Sequence, residues 1–205
     1  MTSDSHVPAD LANLFAAIDA ANSHDPETTI AEGRVKPAAV VYGERMSERM
    51  SSFSPGASLA LQIAARGQHI ERWMIPRNLY PQGRIGYLAW RKELQRHHAR
   101  RLGEIVLQGG HDDALAERVG QLARKERLAS DPEVQILEDI ACLVFLDHYF
   151  DPFAAGQTDD KLADIVAKTW RKMSERAQEA VVMSSPPQRI LDLLAAGTAR
   201  LQAIT

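Results

Sequence analysis

The sequence has a single cysteine, Cys142, in 205 residues. An internal disulfide is therefore excluded, and a cytoplasmic, reducing setting is the expectation. No run of apolar residues is long enough to span a membrane, and Met1 to Asp10 lacks the apolar stretch of a signal peptide. Positive charge is not in excess: Lys and Arg number 24, Asp and Glu 27, and the formal net charge is -3. That balance argues against nucleic-acid binding through bulk charge. There is no HExxH, CxxC, P-loop, GxSxG or dinucleotide glycine fingerprint, and no internal repeat. No alternating strand-like stretch of convincing length occurs, so no sheet is expected.

What remains is helical spacing nearly throughout. The composition, 45% hydrophobic and 25% charged, is ordinary for a globular chain. The stretch Asp131 to Phe150, DPEVQILEDIACLVFLDHYF, organises the rest. Ser130 or Asp131 can cap it, and Pro132 suits its first turn. It is apolar on every face from Ile136 to Leu146, which predicts a helix surrounded by others. Around it the apolar spacing predicts a first helix through Leu11, Leu14, Phe15 and Ile18, then a loop over residues 22–33. Further helices follow Pro37, run from Ser58 to Trp73, and run from Tyr87 to Gln108. Another is capped by Asp112 or Asp113 and reaches about Leu128. Thr158 caps a later one, and residues 174–183 and 188–203 supply the last two. The expectation is an all-α fold: a single helical domain of about eight or nine helices. Residues 1–8 form a disordered N-terminus, 9–183 a helical core, and 184–205 an appended helix.

Polar groups interrupt these apolar faces at a few places. Asp139 shares a mostly inward stripe with Gln135, Cys142 and Leu143. A bare carboxylate there costs several kcal/mol, on the order of other unpaired buried charges, so a core Arg or Lys, a donor or a metal should meet it. His69, read as helical, shares a stripe with Leu61, Ala65 and Trp73. His98 shares one with Leu94, Leu102 and Ile105, and His97 falls on a wetter face. Two inward imidazoles and one carboxylate, His69, His98 and Asp139, form a set that could ligate a divalent metal. The alternative is that each is a satisfied core residue. Cations gather nearby in sequence: Arg66, Arg72, Arg77, Arg84, Arg91 and Lys125. Arginine forks suit phosphate and carboxylate oxygens, and Tyr80, Tyr87 and Trp90 could stack on a base or another planar group. The loop MIPRNLYPQGRIG lies among them and is a candidate ligand lid. The alternative is a solvated basic face over core aromatics.

The segments AARGQHIERWMIPR, YPQGRIGYLAWRKEL, HHARRLGEI and LEDIACLVFLDHYF resemble a bacterial and fungal family known as domain of unknown function 4202. The resemblance covers roughly residues 11–180 and implies a fold group without an activity. A more distant resemblance is to the HD superfamily of metal-dependent phosphohydrolases. Tyr42 stands where that family has its first His, His69 matches the next His, Ile70 replaces an Asp, and Asp139 stands in the final Asp position. His98 and Lys125 fall near further family positions. The resemblance implies a metal on His69, His98 and Asp139, with Lys125, Glu126 and Glu138 as candidate catalytic residues. Arg66, Arg72, Arg77, Arg84, Tyr87, Trp90 and Arg91 would bind substrate.

Three functions stay open. One is a divergent phosphohydrolase acting on a small phosphorylated compound such as a nucleotide. The second is a non-catalytic module for a small anionic ligand. The third is an interaction protein using Trp90, Trp170 and the last helix, with a homodimer among its forms.

Overall fold

The computed structural model describes the backbone of residues 9–203 and the side chains of residues 9–200. The expected disordered N-terminus lies outside the described residues. The fold is all-α, with ten α-helices among the described residues and one short hairpin. The chain divides into two compact units, Met1–Val134 and Gln135–Thr205.

The first unit opens with α1 (Ala9–Asn22), which buries Leu11, Leu14 and Ile18. The segment read as a loop then forms a hairpin, β1 (Thr28–Ala31) and β2 (Arg34–Pro37), with Ile30 opposite Val35. This corrects the expectation of no sheet. Each strand is too short to show an alternating pattern. The turn residues Glu32 and Gly33 both have positive φ, 52° and 72°, as a tight two-residue hairpin requires. Asp25 ties the hairpin to α2 (Ala38–Phe53), whose cap residue Pro37 offers no side-chain acceptor. Its carboxylate instead accepts from Glu27 N at 3.0 Å and Ala39 N at 2.9 Å, satisfying a helix-start donor from a distance.

Ser58 caps α3 (Leu59–Arg66) by accepting from Leu61 N. The helix ends at Arg66, seven residues short of the Trp73 end expected from spacing, with Gly67 as its cap. A 3₁₀ turn over Arg72–Met74 and another over Arg77–Leu79 follow. Then α4 (Gly83–Gln108) begins, four residues earlier than Tyr87. Gly86 makes that start possible. A Cβ there would lie 1.9 Å from the Pro81 carbonyl oxygen, so the loop folds back directly over the first turn. Asp112 caps α5 (Asp113–Ala123), as expected, by accepting from Leu115 N at 2.9 Å. This helix ends before Leu128 because Lys125 and Arg127 adopt left-handed backbone, φ 53° and 58°. Asp131 accepts from Glu133 N at 3.0 Å where α6 (Pro132–Val144) starts. Arg118 of α5 reaches both Asp131 and Glu133 at 2.6 Å.

The second unit takes up α6 after its first turn. Leu137, Ile140, Leu143 and Val144 are buried there, as is the thiol-bearing Cys142. The helix expected to run on to Phe150, apolar on every face as far as Leu146, is interrupted. Phe145–Tyr149 forms one π-helical turn, and Asp147 and His148 are exposed. A short α7 (Phe150–Ala154) precedes α8 (Asp159–Trp170), which Thr158 caps through Lys161 N. Then come α9 (Glu175–Met183) and α10 (Gln188–Ala203). The helix α10, part of the 184–205 set apart from sequence as an appendage, packs on α8. Ile190 and Leu193 join Phe150, Leu162 and Val166 in one apolar cluster. Gly197 permits the approach, since a Cβ there would sit 2.1 Å from the Ala163 carbonyl oxygen.

Candidate functional site

The site in the first unit is set by a turn, not by a helix face. Because α3 ends at Arg66, His69 lies in the turn after it, and the helical stripe with Leu61 and Trp73 does not exist. Glu71 fixes that turn. Its backbone is left-handed, φ 49°, a conformation that costs a non-glycine residue about 1–3 kcal/mol. Compensation comes from α1 and α4. Glu71 N donates to Oδ1 of the buried Asn22 at 3.0 Å. The Glu71 carboxylate accepts from Arg101 Nε at 2.8 Å and Nη2 at 3.1 Å. His97 Nε2 stands 3.3 Å from the same carboxylate, in a geometry that falls short of a hydrogen bond.

With the turn so held, His69 stacks on Tyr42 of α2, ring centroids 3.9 Å apart and planes 15° apart. Its Nε2 lies 3.4 Å from Arg72 Nη1. The Arg72 guanidinium in turn lies over the Trp90 ring of α4, 4.7 Å from its centroid. Trp90 is fixed by donating Nε1–H to the Ile75 carbonyl at 2.8 Å. His98, buried as its face predicted, has its ring centroid 6.3 Å from that of His69. Its Nε2 is buried with no hydrogen-bond partner among the described residues.

Both imidazoles are held neutral. Burial lowers His69 far below the ordinary range, and Arg72, His98 and Lys125 add to the effect. Burial likewise takes His98 down to about 3, helped by His97, Arg72 and Lys125. Burial also lowers Arg72, with Arg91 acting in the same sense and Tyr42 and Tyr87 opposing it. Among the described residues Arg72 meets no carboxylate; its contacts are His69 and Trp90. A desolvated guanidinium without a counter-charge, beside two neutral imidazoles, is a place for an anion.

A family model described as "Domain of unknown function (DUF4202)" matches residues 12–194. The chain belongs to the DUF4202 family. No curated protein and no solved structure matches it.

In this DUF4202 chain the other candidates fall in several places. Arg91 lies over the Tyr87 ring at 5.8 Å, and Tyr87 stands 5.9 Å from Trp90, so these three adjoin Arg72. Arg77 braces the loop: it donates to the carbonyls of Tyr80 and Pro81, both at 2.9 Å, and lies 6.0 Å from the Trp90 centroid. Arg66 pairs with Asp19 through two nitrogens and lies over Phe15. Arg84 is exposed in the first turn of α4. Lys125 follows α5, while the exposed Glu126 pairs with Arg124 at 2.6 Å.

Glu138 and Asp139 belong to the second unit. Glu138 is buried, with Lys172 Nζ 3.5 Å from its carboxylate. Asp139, 1% exposed, accepts from Ser174 N at 2.8 Å, Ser174 Oγ at 2.6 Å and Gln135 Nε2 at 2.9 Å. Of the partners expected for it, a core cation, a donor or a metal, the described residues supply donors, uncharged and two of them at the cap of α9. Among the described residues no group of three or more His, Cys, Asp or Glu side chains is arranged to hold a metal ion. No described helix is long and apolar enough to cross a membrane.

Sequence reasoning passed over Asn22, Glu71 and Arg101, which hold the turn, and Ser174, which meets Asp139. Ser174 was legible as a helix start. The Glu71–Arg101 pair spans 30 residues and leaves no local signal.

Proposed function

We propose that the first unit binds a small oxyanion of the phosphate or phosphate-ester class at Arg72. The observation that supports this is the half-buried Arg72 guanidinium, stacked on Trp90 and without a carboxylate among the described residues. Leaving a desolvated cation unpaired is unfavourable, and an arriving oxyanion offers the planar fork two acceptors. Burial is the main cause of the lowered proton affinities of Arg72, His69 and His98, and Arg91 and Lys125 add positive potential to it. His69, neutral and stacked on Tyr42, orients Arg72 and does not neutralise it. The competing structural role, a cation resting on an indole, leaves the charge uncompensated.

The test is the melting temperature of the full chain titrated with inorganic phosphate and pyrophosphate. A saturable rise is expected, and Arg72→Gln should remove it while the unliganded melting temperature falls little. An equal rise in the variant would dispose of the reading.

A hydrolytic version draws on the distant HD resemblance and on the neutral His69, which keeps one ring nitrogen unprotonated at neutral pH. Release of inorganic phosphate from a panel of phosphate monoesters tests it, with metal content of the purified chain measured alongside.

A further inference from the structure

Two solvent faces, one in each unit, carry opposite charge around exposed aliphatic side chains. On α4, Arg84, Ile85, Leu88 and Lys92 lie on one side at helical spacing. Ile85 is 85% exposed and Leu88 51%. On α9, Glu175, Glu179, Val182 and Met183 likewise share a side, and the exposed Arg176, which has an interaction of its own, borders it next to Met183. Val182 is 60% exposed and Met183 84%. Single exposed aliphatics need no explanation, but adjacent pairs at such exposure do.

The charges decide what covers them. All four are exposed, and among the described residues none has an ion-pair partner. Elsewhere on α4 such charges are paired: Arg96 with Glu93 and Arg100 with Glu104. Residues 72–92 hold five cations and no Asp or Glu, so the α4 face lies in a stretch of one sign. Glu175 at a helix start is explained by the helix dipole, but Glu179 in the second turn is not. Each face thus supplies what the other lacks: two cations flanking two aliphatics on one, two carboxylates flanking two aliphatics on the other.

We infer that the occupant of the α4 face is the α9 face of a second copy of this chain. The contact is heterologous, so each copy offers one face and receives at the other. Burial of Ile85, Leu88, Val182 and Met183 supplies affinity. Arg84 and Lys92 against Glu175 and Glu179 set orientation and make the association sensitive to salt. The inference does not depend on the anion reading, since neither face includes Arg72.

Sedimentation velocity of the full chain over a range of concentrations tests it. The expected result is a species heavier than the monomer, favoured at high concentration and dispersed by salt. Arg84→Glu with Lys92→Glu should weaken association by about tenfold or more, and so should Glu175→Lys with Glu179→Lys. Mixing the two double variants is the decisive measurement. One keeps an acidic α9 face and the other a basic α4 face, so together they should associate although each alone does not. Recovery on mixing also shows that both variants are folded. A chain that stays monomeric throughout overturns the inference. So does association that either charge reversal leaves intact, or a mixture no heavier than its components.

Discussion

Asp139→Ala should destabilise the second unit by about 2–4 kcal/mol, and the structure says where the loss arises. The carboxylate is 1% exposed and accepts three hydrogen bonds. Gln135 also donates to the Lys172 carbonyl at 2.8 Å and sits near solvent, so its loss is small. Ser174 is different. Its N–H and O–H both point at Asp139, and a bond to a charged acceptor contributes about 1.5–3 kcal/mol. Ser174 Oγ also accepts from Ala177 N at 3.3 Å and so caps α9, a role that contributes about 1 kcal/mol. Ser174→Ala removes the cap and one bond to the carboxylate but keeps the N–H bond, so about 2.5–4 kcal/mol is expected. Because the two residues share their bonds, the double variant should lose less than the sum, with a coupling of about 1–2 kcal/mol. Urea unfolding followed by far-ultraviolet circular dichroism measures all three. Additive losses, or an Asp139→Ala loss within a few tenths of a kcal/mol, would show that Asp139 is not held by this network.

Two further outcomes follow from the packing and the charges. Gly197→Ala should cost about 1–3 kcal/mol by driving α10 off the Ala163 carbonyl, and an unchanged melting temperature would contradict that close approach. Hydrogen bonding from Arg118 lowers Asp131 to about 2 from an ordinary value of 3.8. Its contribution is therefore fully present above about pH 4 and is lost as pH falls toward 2. Arg118→Gln should flatten that part of the acid-unfolding curve, and a parallel curve would refute the pairing.

Local chemistry alone set the helices and several of their ends. Asp112, Asp131 and Thr158 were legible as starts, because a cap acts within three residues of itself. His98 was legible as buried because its neighbours at helical spacing, Leu94, Leu102 and Ile105, are apolar. The core of the central stretch, Leu137 to Val144, followed from its lack of a polar face. Tertiary structure decided the rest. The helical stripe for His69 failed because Gly67 ends α3, and Glu71 then takes a left-handed backbone that Asn22 and Arg101 stabilise from distant helices. The partner of Asp139 could not be read, since Ser174 lies 35 residues away and the sequence offered many cations as rivals. The candidate anion site is likewise not a motif. It exists because Arg72 is carried onto Trp90 and beside His69 while no described carboxylate follows it, and the absence of a counter-charge is visible only once the chain is folded.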